Sequence, residues 1–438
     1  MSTEPPANSV RRGTLINLAT RSAGVLAVLA ITALTARIST EAQGAFAIFT
    51  SIEGVLLALC SGFGIALARR VSHHGERPHA LLSAMALACI ALGAVAGLGL
   101  WACAMFGSPA YASLWLLALA APLLLLAPNL GGWWLGEGRM APMARLALAP
   151  PALTLLLLGA LAQMPHGIGV AVIQVLACWV LAKAVVAIGL LVMLAQRARF
   201  APPDFAALRA ELPFVATIGL TNLIGLLNYR VGLFAVERLL GLSATGVYSI
   251  AVVAAELLWF LSSSLTQAAY GRIGTPDRAQ AAATTLRVVQ LGVVALLVLA
   301  PLLWLAAWVG LPRLLGPAYA ASLLPLALLL PGALLFGGAS ALSAYFTNHV
   351  GAPQIPARVA ALSLLVNGSL AFVLVPLIGL AGAALAASLA YVCSVLLLGL
   401  LFARHAGLSP LAVWRPGAQL GRDLRSLASW PAMREGSP

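Results

Sequence analysis

The chain has 438 residues, of which 62% are hydrophobic and only 8% are charged. Soluble globular proteins carry about 25% charged residues, so this composition excludes a soluble globular chain. The net charge of +13 comes from bases scattered singly or in pairs through short loops, with no basic face of the kind that binds nucleic acid. The composition therefore predicts an α-helical protein that crosses a membrane many times.

Apolar runs interrupted by glycine, proline and charge predict twelve membrane spans, each near the roughly 20 residues that cross a bilayer. The first run is too long for the core of a signal peptide, so we expect it to remain as span 1. In chain order the predicted spans are 13–36, 45–68, 80–106, 113–134, 146–163, 168–194, 213–237, 245–270, 285–309, 320–346, 357–377 and 381–403.

The arginines are divided unequally between the two sets of loops. With a cytoplasmic N-terminus, nineteen arginines lie in the inside loops and tails, and only Arg37, Arg238 and Arg313 lie in the outer loops. Under the positive-inside rule this asymmetry predicts that both termini are cytoplasmic. The outer loops are short, and none of them could hold a folded domain.

A proline-containing break at 196–212 separates six spans from six and indicates an internal repeat. Two spacings recur in the same order in both halves, a glycine nine or ten residues before a glutamate and a glycine seven residues before an arginine. The matched pairs are Gly44–Glu53 with Gly246–Glu256, and Gly138–Arg145 with Gly351–Arg358.

These spacings predict two pseudo-symmetric six-helix lobes around a central cleft, in an all-α polytopic membrane protein. We expect the first lobe at 1–195, a cytoplasmic linker at 196–212, the second lobe at 213–404 and a cytoplasmic tail at 405–438. Such lobes can rock as near-rigid bodies, opening the cleft alternately to each side.

Five charged residues lie near the middle of predicted spans, where each costs at least about 2.5–3.5 kcal/mol and so needs a reason. They are the bases Arg21, Lys183 and Arg230 and the acids Glu53 and Glu256, and Glu237 lies near the outer end of span 7. A buried ion pair with no further role is one alternative for Arg230 and the two glutamates. For Lys183, pairing or packing is the favoured interpretation.

Polar side chains lie along single helix faces in spans 1 and 8. Around Glu256, the residues of the span 8 stripe lie within about 40° of one line, which favours contact with water or with another polar stripe. Trp259 lies one turn from Glu256, either as a core residue or as a platform for a sugar. The predicted cleft-lining residues are Asn17, Asn222, Asn228, Ser249, Trp259, Ser263 and Gln267.

Other chemistry has little support in the sequence. There is no aspartate-rich motif for magnesium-diphosphate chemistry and no glycine-rich phosphate loop followed by Lys-Ser or Lys-Thr. We therefore expect no catalytic residue, no cofactor and no metal ion.

The segment from span 7 into span 8 is more specific. It reads Leu227-Asn228-Tyr229-Arg230, then Gly246-Val247-Tyr248-Ser249-Ile250-Ala251, then Ala255-Glu256-Leu257-Leu258-Trp259. This resembles the polysaccharide (O-antigen) flippase family of the multidrug/oligosaccharidyl-lipid/polysaccharide exporter superfamily. The stretch around Gly316-Pro317-Ala318-Tyr319 is similar too, and the resemblance covers essentially all twelve spans.

The resemblance implies a flippase in the bacterial inner membrane that moves an undecaprenyl-diphosphate-linked glycan to the outer leaflet. The family's basic cleft residues would fall on Arg21 and Arg230, which we expect to contact the diphosphate. Glu53 and Glu256 are the candidates for ion or proton coupling. The implied partners are the lipid-linked oligosaccharide, membrane lipid and the polysaccharide assembly machinery.

Two alternatives to the flippase stay open. A multidrug exporter of organic cations belongs to the same superfamily, and its cleft should be net acidic. A membrane glycan polymerase or ligase is a different class, which generally needs a larger outer loop than this chain offers. Three bases against two acids near mid-membrane favour an anionic substrate.

Overall fold

The computed structural model describes residues 7–74, 78–163, 171–197 and 199–414, and no strand occurs among them. Fourteen α-helices account for most of these residues. Their bounds are Ala7–Ile38, Thr40–Cys60, Gly62–His74, His79–Phe106, Leu114–Leu124, Leu126–Leu130, Gly132–Gly136, Met140–Ala162, Val172–Gln196, Phe205–Ile273, Arg278–Leu314, Leu323–Ala344, Gln354–Ile378 and Leu380–Ala406.

The twelve predicted spans each correspond to helix in the structure. Ten continuous helical stretches among the described residues are long and apolar enough to cross a membrane. One of them, Phe205–Ile273, holds both span 7 and span 8. Gly241 separates the two spans, because its positive φ of 85° breaks the helix between them. The helix Ala7–Ile38 supplies span 1, so the all-α polytopic architecture is confirmed.

Several spans are interrupted where the sequence predicts continuous helix. Span 2 is divided between Thr40–Cys60 and Gly62–His74, and span 4 is divided into three short helices, the first of which contains Pro122. Span 10 ends in a π-helical turn at Tyr345–His349. Proline removes a backbone donor and clashes with the preceding turn, which accounts for the break in span 4.

Packing divides the chain into two compact units. The first consists of Met1–Leu227 with Leu240–Gly246, and the second of Asn228–Leu239 with Val247–Pro438. The helix of span 7 starts at Phe205, earlier than the predicted 213, and its first part belongs to the first unit. The functional division of the lobes at 196–212 stays a prediction.

In the first unit, the early part of span 7 packs closely on span 2. A Cβ built on Gly62 would lie 2.2 Å from the carbonyl oxygen of Val215, and one built on Gly219 would lie 2.1 Å from that of Leu59. Small residues at helix crossings let backbones approach in membrane proteins. Buried Phe63, Trp133 and Trp134, among others, fill the core of this unit.

In the second unit, spans 9 to 12 surround a core of buried aromatic and aliphatic side chains that includes Tyr345, Phe346 and Phe402. Ser388 on span 12 packs directly against Gly332 of span 10. A Cβ built on Gly332 would lie 2.5 Å from the Cα of Ser388. The backbone N–H of Gly332 donates to Ser388 Oγ at 2.9 Å. Spans 10 and 12 are therefore held at close range.

The second repeated spacing has matching backbone geometry in the two halves. Gly138 and Gly351 have positive φ angles of 68° and 69°. Each precedes the helix that carries the matching arginine, Arg145 or Arg358. The agreement in backbone conformation supports the internal repeat.

Candidate functional site

Glu53 lies in the middle of span 2 and is only 2% exposed. Its Oε1 accepts from Lys183 Nζ at 2.5 Å, and its Oε2 accepts from Trp179 Nε1 at 2.8 Å. The Lys183 ammonium also lies 4.2 Å from the centre of the Trp179 ring, a cation–π contact. Both carboxylate oxygens are thus satisfied by span 6.

Lys183 and Trp179 are four residues apart on span 6, so they share one helix face. That spacing explains how a single helix can reach both oxygens of Glu53. The sequence favours pairing or packing for Lys183, and the structure places it in this ion pair. Whether Glu53 couples transport to an ion stays a prediction.

Arg230 on span 7 and Glu256 on span 8 form the second intramembrane ion pair. The two guanidinium nitrogens of Arg230 lie 2.8 and 3.4 Å from the two oxygens of Glu256, in a fork arrangement. The side chains are 23% and 25% exposed. Unlike Glu53, this pair keeps part of its surface accessible.

Four aromatic rings pack beside this pair in the second unit. Their nearest ring centroids are 4.9 Å apart, for Tyr229 with Trp259 and for Phe336 with Tyr391. Trp259 Nε1 donates to the carbonyl oxygen of Ala333 at 3.1 Å, which fixes its ring. We call Tyr229, Trp259, Phe336 and Tyr391 the aromatic wall.

A small cavity of about 10 Å³ lies at the same place, lined by Glu256, Trp259, Tyr391 and Asn367 among others. This is room for about one water molecule. The Oδ1 atom of Asn367 is buried and has no hydrogen-bond partner within the described part of the chain. The site therefore combines an accessible ion pair, aromatic rings and an unsatisfied amide oxygen.

Two of the predicted cleft-lining residues are buried in this structure, and their role in a cleft stays a prediction. Asn228 and Ser249 are each 2% exposed. Asn228 accepts from Ser363 Oγ at 3.3 Å through its Oδ1 and from Asn367 Nδ2 at 2.8 Å through its carbonyl oxygen. Helical periodicity assigns Asn228 to a polar face, and span 11 covers that face through Ser363 and Asn367.

The other predicted lining residues are more accessible. Asn222 is exposed and donates to Ser61 Oγ at 2.7 Å, and Gln267 is exposed. Ser263 is half-buried and donates to the carbonyl oxygen of Phe260 at 3.0 Å. Trp259 is half-buried in the aromatic wall. Their contact with a substrate stays a prediction.

Arg21 and Asn17 lie on the helix Ala7–Ile38, but their side chains are outside the described part of the structure. Lys183 pairs with Glu53 and Arg230 pairs with Glu256, one base to one acid. Among the described side chains near mid-membrane, each base therefore pairs with one acid, and the third base of the predicted excess is Arg21.

The sequence analysis does not identify two features of the structure, the second half of the aromatic wall and a buried acid before span 7. Phe336 and Tyr391 belong to spans 10 and 12 and complete the aromatic wall. Glu211, just before span 7, is 2% exposed and accepts from Arg69 at 2.8 Å and from Arg70 at 2.7 Å. In the sequence, the position of Glu211 directly before a predicted span is the one indication of such a role.

No protein-family model matches the sequence, and no curated protein matches it. Solved structures do match in fold. An inward-facing multidrug resistance MATE family transporter of the MOP superfamily matches with a TM-score of 0.74 and 16% identity, over 90% of this chain and 98% of its own. MATE in the straight conformation matches with a TM-score of 0.65 and 15% identity, over 92% and 97%.

A third match is a MOP superfamily transporter from Pyrococcus furiosus, described by the reverse polarity of its binding pocket and a suggested different function. Its TM-score is 0.62 at 14% identity, over 92% of this chain and 95% of its own. At these identities the likeness shows the fold alone. The chain is a multi-pass helical membrane protein with the two-lobed fold of MATE transporters.

Proposed function

We propose that this protein is a secondary transporter of a bacterial cytoplasmic membrane, that it works by alternating access, and that it is not an enzyme. The Arg230–Glu256 pair supports this proposal most directly. Both side chains of this intramembrane ion pair are about a quarter exposed, and the pair lies beside the aromatic wall. Intramembrane ionisable groups mark substrate and ion routes in membrane proteins.

The pair can serve as a binding site because either partner can be exchanged. A cationic group can replace Arg230 at Glu256, and an anionic group can replace Glu256 at Arg230. The displaced side chain loses its charge partner, but both side chains are about a quarter exposed, so water can solvate it and the cost of a buried unpaired charge is reduced. The aromatic wall would hold the apolar or ring portion of the same substrate.

An exporter of amphipathic organic cations is the first candidate. The solved structures named above include multidrug resistance transporters, and aromatic rings next to a carboxylate suit an organic cation. Lys183 pairs with Glu53 and Arg230 pairs with Glu256, so the third base of the mid-membrane count, which favours an anion, is Arg21.

A flippase for undecaprenyl-diphosphate-linked glycans, serving cell-surface polysaccharide assembly, is the second candidate. The motif from Leu227 to Trp259 supports it, together with the guanidinium fork of Arg230, which matches phosphate oxygens better than a lysine would. The Pyrococcus furiosus neighbour carries a description of reversed pocket polarity, so one fold accommodates different pockets.

The two candidates predict opposite results for the two members of the pair. The test uses the purified full chain in proteoliposomes and two probes, ethidium and a fluorescently labelled undecaprenyl-diphosphate sugar. For a cation exporter, Glu256→Gln should reduce ethidium transport at least tenfold, while Arg230→Gln has a smaller effect. For a diphosphate flippase, Arg230→Gln should abolish lipid translocation and Glu256→Gln should be the milder change.

Arg238→Gln is the matched control, since Arg238 is an exposed arginine directly after span 7 on the same helix. It should leave transport of either probe unchanged. If Arg230→Gln and Glu256→Gln both transported each probe at the wild-type rate, the ion pair would not be the substrate site.

A further inference from the structure

A groove opens on the first unit between the helices of spans 5 and 6. It encloses about 310 Å³ and is lined along its length by apolar residues of both helices, including Leu146, Ala149, Val186 and Leu190. Gly189 also lines it, and a Cβ built there meets nothing within 4 Å. The groove is therefore an apolar slot with room left beside its wall.

Three arginines stand at one end of this groove. They are Arg139, directly before the span 5 helix, Arg145 in its second turn, and Arg197, directly after the span 6 helix. All three are exposed. Arg139 lies 3.2 Å from Glu137, whereas Arg145 and Arg197 have no acidic partner among the described residues. The end of the groove is strongly positive.

A second groove occupies the repeat-related position between spans 11 and 12 and encloses about 320 Å³. Four of its lining residues follow lining residues of the first groove at one constant separation of 213 positions. The matched residues are Pro142 with Ile355, Arg145 with Arg358, Leu146 with Val359, and Ala149 with Leu362.

The facing helices match as well, because Val186 and Leu190 precede Leu397 and Leu401 by 211 positions. The repeat has thus placed an arginine at the mouth of an apolar groove twice. The second groove has Arg358 as its one basic lining residue, whereas the first has three. This difference in charge separates two otherwise equivalent surfaces.

We propose that the first groove is a binding site for an anionic phospholipid of the surrounding membrane. The acyl chain lies along the apolar wall, and the headgroup phosphate lies between Arg145 and Arg197. Arginine forks make charge-assisted bonds to phosphate oxygens, and basic pockets between spanning helices recognise acidic headgroups. Three arginines repel the ammonium of a zwitterionic headgroup, so the site selects a lipid with net negative charge.

All three arginines stand at the end of spans 5 and 6 that the positive-inside rule predicts to be cytoplasmic. The lipid would therefore come from the inner leaflet. The groove lies within the first unit and contains neither Arg230 nor Glu256, so the proposal does not depend on which substrate is transported.

The test is a titration of the purified full chain with dioleoyl-phosphatidylglycerol and, separately, dioleoyl-phosphatidylcholine, with adducts counted by native mass spectrometry. We expect the wild type to bind the first phosphatidylglycerol at least tenfold more tightly than phosphatidylcholine. The double variant Arg145→Gln/Arg197→Gln should lose this preference. Arg358→Gln, at the repeat-equivalent position, is the matched control and should retain it.

Gly189→Phe tests the apolar part of the site without changing any charge. Its ring should fill the groove and weaken phosphatidylglycerol binding at least fivefold. Equal affinity of the wild type for the two lipids would overturn the proposal. So would an equal loss in Arg358→Gln and in the double variant, which would indicate attraction by overall charge alone.

Discussion

Gly44 and Gly246 approach each other so closely that neither position has room for a side chain. A Cβ on Gly44 would lie 2.0 Å from the carbonyl oxygen of Leu242, and one on Gly246 would lie 1.8 Å from that of Thr40. Each glycine meets the carbonyl four residues before the other, so the contact is reciprocal, as in a two-fold interface. The hydroxyls of Thr40 and Ser243 lie 2.7 Å apart beside it.

Replacing either glycine should therefore force the two backbones apart. We expect Gly44→Ala to lower the free energy of unfolding by about 1–3 kcal/mol or more, as overpacking does. The measurement is denaturant unfolding of the purified protein in mixed micelles. Gly225→Ala is the control, because a Cβ at that helical position meets nothing within 4 Å and alanine favours helix by up to about 1 kcal/mol. Equal stability of the two variants would contradict the close approach.

Gly138 and Gly351 should respond to substitution in the same way, since both have a positive φ and open space around the Cβ position. Alanine costs roughly 1–2 kcal/mol in this conformation because its Cβ crowds the backbone. Asparagine tolerates it better, so Gly351→Asn should be milder than Gly351→Ala. Thermal unfolding of Gly138→Ala, Gly138→Asn, Gly351→Ala and Gly351→Asn measures this. A large loss of stability at one glycine with none at the other would contradict the repeat.

The Glu53–Lys183 pair should behave as one unit in a double-mutant cycle. Glu53→Gln leaves the ammonium without its charge partner, and Lys183→Met leaves a buried carboxylate. Breaking a buried pair typically costs about 3–5 kcal/mol, whereas replacing both members is often close to neutral. We expect Glu53→Gln/Lys183→Met to be more stable than Lys183→Met alone.

The same variants address coupling through Glu53. A structural pair predicts that the double variant regains transport along with stability. If the stable double variant transports its substrate but no longer responds to a proton gradient, Glu53 acts in coupling as well. Transport at several external pH values in proteoliposomes distinguishes the two results.

Glu211 should matter more for stability than either arginine that binds it. It is buried and accepts from both Arg69 and Arg70, whose side chains are 45% and 28% exposed. When one arginine is replaced, the other still pairs with Glu211, so each single arginine change should cost about 1 kcal/mol or less. When the acid is replaced, both arginines can be solvated by water. We expect Glu211→Ala to cost about 1–3 kcal/mol in the same unfolding measurement.

The spans could be predicted because their signal is local. A run of apolar residues long enough to cross a bilayer appears directly in the sequence, and so does the charge between runs. The helix that contains span 7 begins at Phe205, before the predicted span start at 213, and residues 205–212 include Arg209 and Glu211 and do not form an apolar run. Helix forms there because Asp204 accepts from the backbone N–H of Ala207 at the helix start and Glu211 binds Arg69 and Arg70.

The partners of the intramembrane charges could not be predicted, because they depend on which helices meet. Lys183 is 130 residues from Glu53 in sequence, and no local pattern connects them. The same limit applies to Asn228, whose polar face was recognised but whose cover by Ser363 and Asn367 was not. Periodicity assigns a residue to a helix face, and tertiary packing decides what that face contacts.

The two compact units interleave along the chain, with passages at 227/228, 239/240 and 246/247. During synthesis, the first unit therefore cannot be complete when its sixth span leaves the ribosome. It still lacks residues 205–227 and 240–246, which arrive on either side of a segment that belongs to the second unit. A nascent chain must hold an unfinished bundle in the membrane until residue 246 is made, and a fragment that stops at 212 ends before either missing piece is complete.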